Sequence, residues 1–138
     1  MIKLHSKIDS TKLLHIIFDG VIDCKTKRLD VTEPQETLQV GVLRPDMNDV
    51  AKPHYHINRL GQMYQQVQES WVVMHGALKI TLYDIDGSIC CTTILGAGAC
   101  LVTLLGGHTF ECIEDNTVIY EFKTGPYQGQ QQDKKIIL

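Results

Sequence analysis

The chain has 138 residues, enough for one domain with a buried core, and 43% of it is hydrophobic. Its net charge of −3, with pI near 6.0, and its scattered lysines and arginines argue against a nucleic-acid or anionic-membrane partner. The five cysteines are odd in number and form no Cys-x-x-Cys pair. They are therefore expected to be reduced, buried thiols in a cytoplasmic protein, and no signal peptide or membrane-length apolar run is evident.

Residues 1–20 allow two readings. Asp9 or Ser10 could cap a short helix with Leu13, Leu14, Ile17 and Phe18 as its apolar stripe. Alternatively Leu14–Phe18, rich in isoleucine, is a strand that ends at the Asp19-Gly20 turn. Residues 23–36 are charged and contain Pro34, which predicts a loop or at most an edge strand.

A period-2 pattern begins at Leu38, Val40 and Val42. The turn-like run Arg44–Asp49 leads to a short segment, Pro53–Ile57, that carries His54 and His56. Residues 58–68 are polar and glutamine-rich, and are expected to form a loop over an opening. From Glu69 the chain reads as strand after strand: Ser70–Met74 ending at His75-Gly76, then Ala77–Tyr83. The Asp84-Ile85-Asp86-Gly87 hairpin signal follows, and then Ser88–Leu95, Ala99–Leu105, a strand from His108 after Gly106-Gly107, and Thr117–Phe122. Gln128–Gln132 is polar and expected to be mobile. Short strands at regular spacing joined by tight turns predict an all-β sandwich or barrel.

His54 and His56 are two residues apart, so on a strand both imidazoles face the same side. Two imidazoles, a carboxylate and a third imidazole from other strands suit zinc, iron, nickel or manganese. Glu69 opens a strand and His108 follows a glycine turn, so both stand where a barrel could bring them to the pair.

This arrangement resembles the cupin superfamily. His54-Tyr55-His56, a gap, then Glu69 with six residues before Gly76 is similar to the first cupin motif. Gly98 and Gly106-Gly107-His108 are similar to the second. A closer likeness is to the small WbuC-type cupins of bacterial surface-polysaccharide gene clusters. It rests on Pro53-His54-Tyr55-His56, Glu69–Gly76, Tyr83-Asp84 to Gly87, and Gly125-Pro126-Tyr127 with Asp133-Lys134, and covers roughly residues 35–135.

The resemblance implies an all-β, cupin-type double-stranded β-helix (jelly-roll barrel) as a single domain. Residues 1–34 would be an N-terminal extension (short helix or strand), 35–127 the barrel and 128–138 a polar tail. It implies one divalent transition metal (Fe, Zn, Mn or Ni) on His54, His56, Glu69 and His108. It further implies a small-molecule ligand, carbohydrate by the family's genomic setting, and a homodimer. Isomerase, epimerase and oxygenase chemistry all stay open, as does a non-catalytic binding or regulatory role, with a metal or without one and the histidines then serving as polar core residues. The twelve-residue gap between His56 and Glu69 is longer than the motif's; Glu69 keeps its role if the extra residues are an inserted loop, and otherwise Gln62 or Gln65 stands nearer the metal. Gln62, Tyr64, Trp71, Tyr83 and Cys112 are the candidate pocket residues, although Trp71 and Cys112 read first as core. Tyr83, Glu111 and Glu121 are the acid–base candidates, Tyr55 should point outward, and Tyr127 should close the barrel.

Overall fold

Period-2 alternation governs nearly the whole chain, and the computed structural model, which describes residues 1–23, 25–57 and 66–137, turns it into twelve strands and one helical turn. In chain order these are β1 Ile2–His5, β2 Leu13–Ile17, β3 Arg28–Asp30, β4 Leu38–Leu43, β5 His54–His56, β6 Glu69–His75, β7 Ala77–Tyr83, β8 Ile89–Gly96, β9 Cys100–Thr103, β10 Gly107–Cys112, β11 Val118–Thr124, α1 Gln130–Asp133 and β12 Lys134–Ile136. Ten strands make two five-stranded antiparallel sheets, ordered β12-β5-β10-β7-β8 and β3-β4-β11-β6-β9, and β1-β2 is a separate hairpin. Two facing antiparallel sheets are the expected jelly roll.

Register decides which residues share the interior. Across β4, β11 and β6, Leu43 lies opposite Ile119, and Ile119 opposite Val73. Gly41, Glu121 and Trp71 form the next row, and Gln39, Lys123 and Glu69 the third. In the other sheet, Cys112 pairs with Leu78, Phe110 with Ile80, and His108 with both Leu82 and His54. The interior is therefore divided along the strands. One end is the apolar core, with Trp71, Val73, Leu78, Ile80, Cys112 and Ile119 all buried. The other end holds the histidines, Glu69 and Lys123.

Several expectations need correction. Of the two readings of the N-terminal segment the strand holds, since Leu13–Ile17 pairs with Ile2–His5. Asp9, read as a helix cap, instead accepts hydrogen bonds from the Thr11 N–H (3.1 Å) and hydroxyl (2.6 Å), the local bonding that makes Asp a turn former. Residues 130–136 are not a loose tail, because β12 pairs with β5, Lys134 opposite His56 and Ile136 opposite His54. The thiols are not all buried. Cys90, Cys91 and Cys100 are exposed and only Cys112 is buried among the described residues; Cys24 lies outside them. The exposed three sit on β8 and β9, the outermost strands of their sheets. The apolar set of β4 also faces away from the barrel: Val42 lies opposite Tyr120 and Val40 opposite Phe122, beneath the hairpin, where Phe18 packs on Tyr120 at 6.0 Å.

The β6–β7 turn needs its glycine. Gly76 has φ +77, and a Cβ there would stand 2.2 Å from Thr117 Oγ1 and 2.8 Å from Thr117 Cα, so both conformation and space exclude a side chain.

Candidate metal centre

Strand alternation carries His54 and His56 to the inner face and leaves Tyr55 on the outer one, where its hydroxyl donates to the Asp84 carbonyl at 2.5 Å. His108 enters from the adjacent strand, directly opposite His54. Glu69 enters from the facing sheet. His54, Glu69 and His108 are at most 3% exposed, and the His56 side chain is 3% exposed. One ligand atom from each of the four lies within 4.8 Å of every other.

The imidazoles are oriented from behind. His54 Nδ1 donates to the Lys52 carbonyl at 2.7 Å, which leaves the Nε2 lone pair facing inward. His108 Nδ1 lies 3.0 Å from Thr103 Oγ1, and its ring packs edge-on against Trp71 at 4.6 Å. His56 Nδ1 lies 3.5 Å from Asp133 Oδ2. For His54 and His108 this is the arrangement that fixes a ligating tautomer, the rear nitrogen held and the front one free, whereas His56 Nδ1 stands near Asp133 without hydrogen-bonding alignment.

Electrostatics run the same way. Burial, reinforced by Lys134 and His108, pushes His54 down to about 3, so it is neutral and able to donate a lone pair. Burial alone would push the Glu69 carboxyl up, but His108 and His56 outweigh it and hold the group well below the usual range, as a carboxylate. Burial would lower His56, but Asp133 and Glu69 outweigh it and raise its affinity for a proton. A site that draws a proton between two carboxylates draws a metal cation for the same reason.

The front atoms are also unsatisfied. His54 Nε2, His56 Nε2, His108 Nε2 and both Glu69 oxygens are buried without a hydrogen-bond partner. Glu69 stands 3.1 Å from His56 Nε2 and 3.2 Å from His108 Nε2, but not in hydrogen-bonding alignment. Each buried orphan of this kind costs about 1–3 kcal/mol, and such groups call for an explanation. A divalent cation among them satisfies every one, so the residues fit a metal.

Among solved structures, KdgF from Halomonas sp. matches at TM-score 0.57 with 18% identity, over 79% of this chain and 92% of that one. CapF from Staphylococcus aureus, a capsular polysaccharide assembling protein, matches at TM-score 0.63 with 16% identity, over 85% of this chain and 33% of that one. Oxalate decarboxylase from Bacillus subtilis matches at TM-score 0.60 with 15% identity, over 80% of this chain and 27% of that one. The chain has the cupin fold. It spans about a third of CapF and about a quarter of oxalate decarboxylase. No family model and no curated protein matches it.

Within this fold the remaining candidates divide. Trp71 and Cys112 lie in the core; the Cys112 thiol reaches the Glu114 carbonyl at 3.3 Å. Tyr83 pairs with Gly107 rather than with an inward residue, so alternation puts it on the outer face. Glu111 shares that face and bonds Lys79 at 3.2 Å. Glu121 does face inward, but it is held by Arg28 at 2.7 Å. Gln62, Tyr64 and Gln65, and most of the expected 58–68 loop, lie outside the described residues. His75 is exposed and meets only the Asn116 carbonyl. Sequence reasoning missed Lys123 and Asp133, a buried pair 2.7 Å apart directly behind His56. Their only signal was Asp133-Lys134 as part of the family likeness.

Proposed function

We propose that this chain is a metal-dependent cupin in which His54, His56, Glu69 and His108 hold one divalent transition metal. It would act on a small sugar or sugar-nucleotide derivative in bacterial surface-polysaccharide metabolism. The observation that carries the metal is the set of buried, converging and unsatisfied nitrogen and oxygen atoms. The likeness to CapF, a capsular polysaccharide assembling protein, supports the sugar setting. When bound, the metal supplies a Lewis acid that polarises a substrate oxygen or activates water. The chain's own part is to keep His54 neutral and oriented, to keep Glu69 ionised, and to exclude bulk water from the ligand atoms.

A non-catalytic carbohydrate-binding module is the second reading, and one observation favours it. Of the three acid–base candidates, Glu121 alone faces inward, and its ion pair with Arg28 occupies the carboxylate that would move a proton. The reading includes a cytoplasmic, reducing setting, in keeping with the exposed Cys90, Cys91 and Cys100. It also includes a homodimer, supported by the exposed Ile2, Leu4 and Ile17 on one face of the β1–β2 hairpin.

Metal content by mass spectrometry on untagged protein tests the metal. About one equivalent is expected in the wild type and almost none in His54→Ala or His108→Ala. No metal after reconstitution with iron, zinc, manganese and nickel would overturn the reading. Incubating the loaded protein with a panel of nucleotide sugars then separates enzyme from binding module: turnover supports the first, and retention of unchanged ligand the second.

A further inference from the structure

A cavity of about 430 Å³ lies between the inner face of β3, β4 and β11 and the C-terminal segment. It adjoins the metal cluster, because two of its wall residues lie directly opposite ligands: Lys134 pairs with His56 and Lys123 with Glu69. Its three cations meet three carboxylates, but they do not pair one to one. Arg28 is bound by Asp30 at 2.8 Å and by Glu121 at 2.7 Å. Lys123 is bound by Asp133 at 2.7 Å and lies over the Tyr127 ring at 4.9 Å. Lys134 is the exception. It is half-buried and shares the inner face with His56, and among the described residues no acid lies within ion-pairing distance of it.

We infer that this cavity binds an anionic group of the ligand, a carboxylate or a phosphate, with Lys134 as its cation. A cation lodged in a concave site loses part of its hydration and regains it best from an anionic oxygen. The cavity's other free donors suit the same oxygen group. The Thr32 hydroxyl accepts from the Val40 N–H at 2.9 Å and keeps its own proton to donate, and Tyr127 brings a phenol to the same wall. The Gln39 amide nitrogen is already spent on the Glu33, Pro34 and Glu36 carbonyls, so it does not compete. The inference rests on the functional reading above and narrows its substrate class to acidic sugars, either uronate-like or phosphorylated.

The test is calorimetric titration of the metal-loaded full chain with glucuronate, glucose 6-phosphate and glucose, with metal content measured on the same samples. One of the two anions is expected to bind at least about tenfold more tightly than glucose, the value of one charge-assisted hydrogen bond, and which one identifies carboxylate or phosphate. Lys134→Met should remove that preference and Lys134→Arg should keep it. Lys135→Met, on the outer face of the same strand, should change nothing. Equal binding of glucose, no binding of either anion, or a preference that survives in Lys134→Met would overturn the inference. If the samples carry one equivalent of metal, such a result overturns the anion site alone. If they carry none, the metal reading fails separately, and an anion preference lost in Lys134→Met still supports the cavity.

Discussion

His56 stands between two carboxylates, with Nε2 3.1 Å from Glu69 and Nδ1 3.5 Å from Asp133. Asp133 is in turn held by Lys123 at 2.7 Å, so a chain of four charged or polar groups runs from the metal cluster to the cavity wall. Burial would push the Asp133 carboxyl up, but His56 and Lys123 outweigh it and hold the group ionised. A carboxylate behind a ligating imidazole fixes the ring and raises its basicity, and losing it costs about 10–100-fold in metal affinity. Asp133→Asn should therefore weaken zinc binding by that factor while the fold survives, read by competition with a chromophoric chelator. Lys123→Met has a different signature. It removes the cation from a buried pair, and the charge left behind should destabilise the protein by about 3–5 kcal/mol, read by urea unfolding of metal-free protein. Neither residue carries a sequence signal of its own. A lysine in a strand and an aspartate in a glutamine-rich tail read as solvated, and only the β12–β5 pairing brings them behind His56.

At the scale of single elements the glycines set the turns. Gly76→Ala asks a residue with φ +77 to carry a Cβ into Thr117. The cost should be at least about 1–3 kcal/mol, whereas Gly96→Ala, which meets nothing within 4 Å, should be near neutral. Paired urea titrations would separate the two. This turn was legible in advance, because a glycine between two alternating runs has few other roles, and the hairpins around Asp84–Gly87 and Gly98 were legible for the same reason. The ends of the chain were not. Residues 13–18 carry an apolar stripe that satisfies both a helix and a strand, and the choice fell to β1, whose pairing is not local. Likewise Ile137 packs beside Tyr55 on the outer face only because Gly107 leaves room: a Cβ there would stand 2.4 Å from Ile137 Cδ1. His54 and His56 were recoverable because ligand spacing on a strand is a period-2 property, and Glu69 and His108 through the likeness to the cupin motifs, while Lys134 needed the register of a strand that composition alone hid.

At the scale of the molecule, two features point beyond the isolated barrel. Among the described residues the β1–β2 hairpin pairs with no other strand, and a lone two-stranded hairpin is marginal in water. One of its faces packs toward β3 and β4, while Ile2, Leu4 and Ile17 on the other are 54%, 43% and 49% exposed. A second copy of the chain is the occupant that covers this face under the reading above. Light scattering should give about twice the 15.5 kDa chain mass, and Ile17→Lys should return the monomer; a monomeric wild type would refute the dimer.

The metal cluster joins the two sheets. His54, His56 and His108 come from β5 and β10 of one, and Glu69 from β6 of the other. An ion bound there ties the sheets together at the end of the barrel opposite the apolar core, where packing contributes least. Removing it leaves the buried ligand atoms orphaned again, and the native state loses RT ln(1 + [M]/Kd), about 4 kcal/mol at a thousandfold excess over Kd. Chelator should therefore lower the melting temperature. Amide exchange should rise first in β5 and β12, which hang on the cluster and on each other, while β7 and β11 around Leu78 and Ile119 keep their protection. Uniform loss of protection across both sheets would mean that the cluster is part of one cooperative core rather than a separate clasp. An unchanged melting temperature in protein known to carry metal would mean that the apolar end alone holds the sheets together.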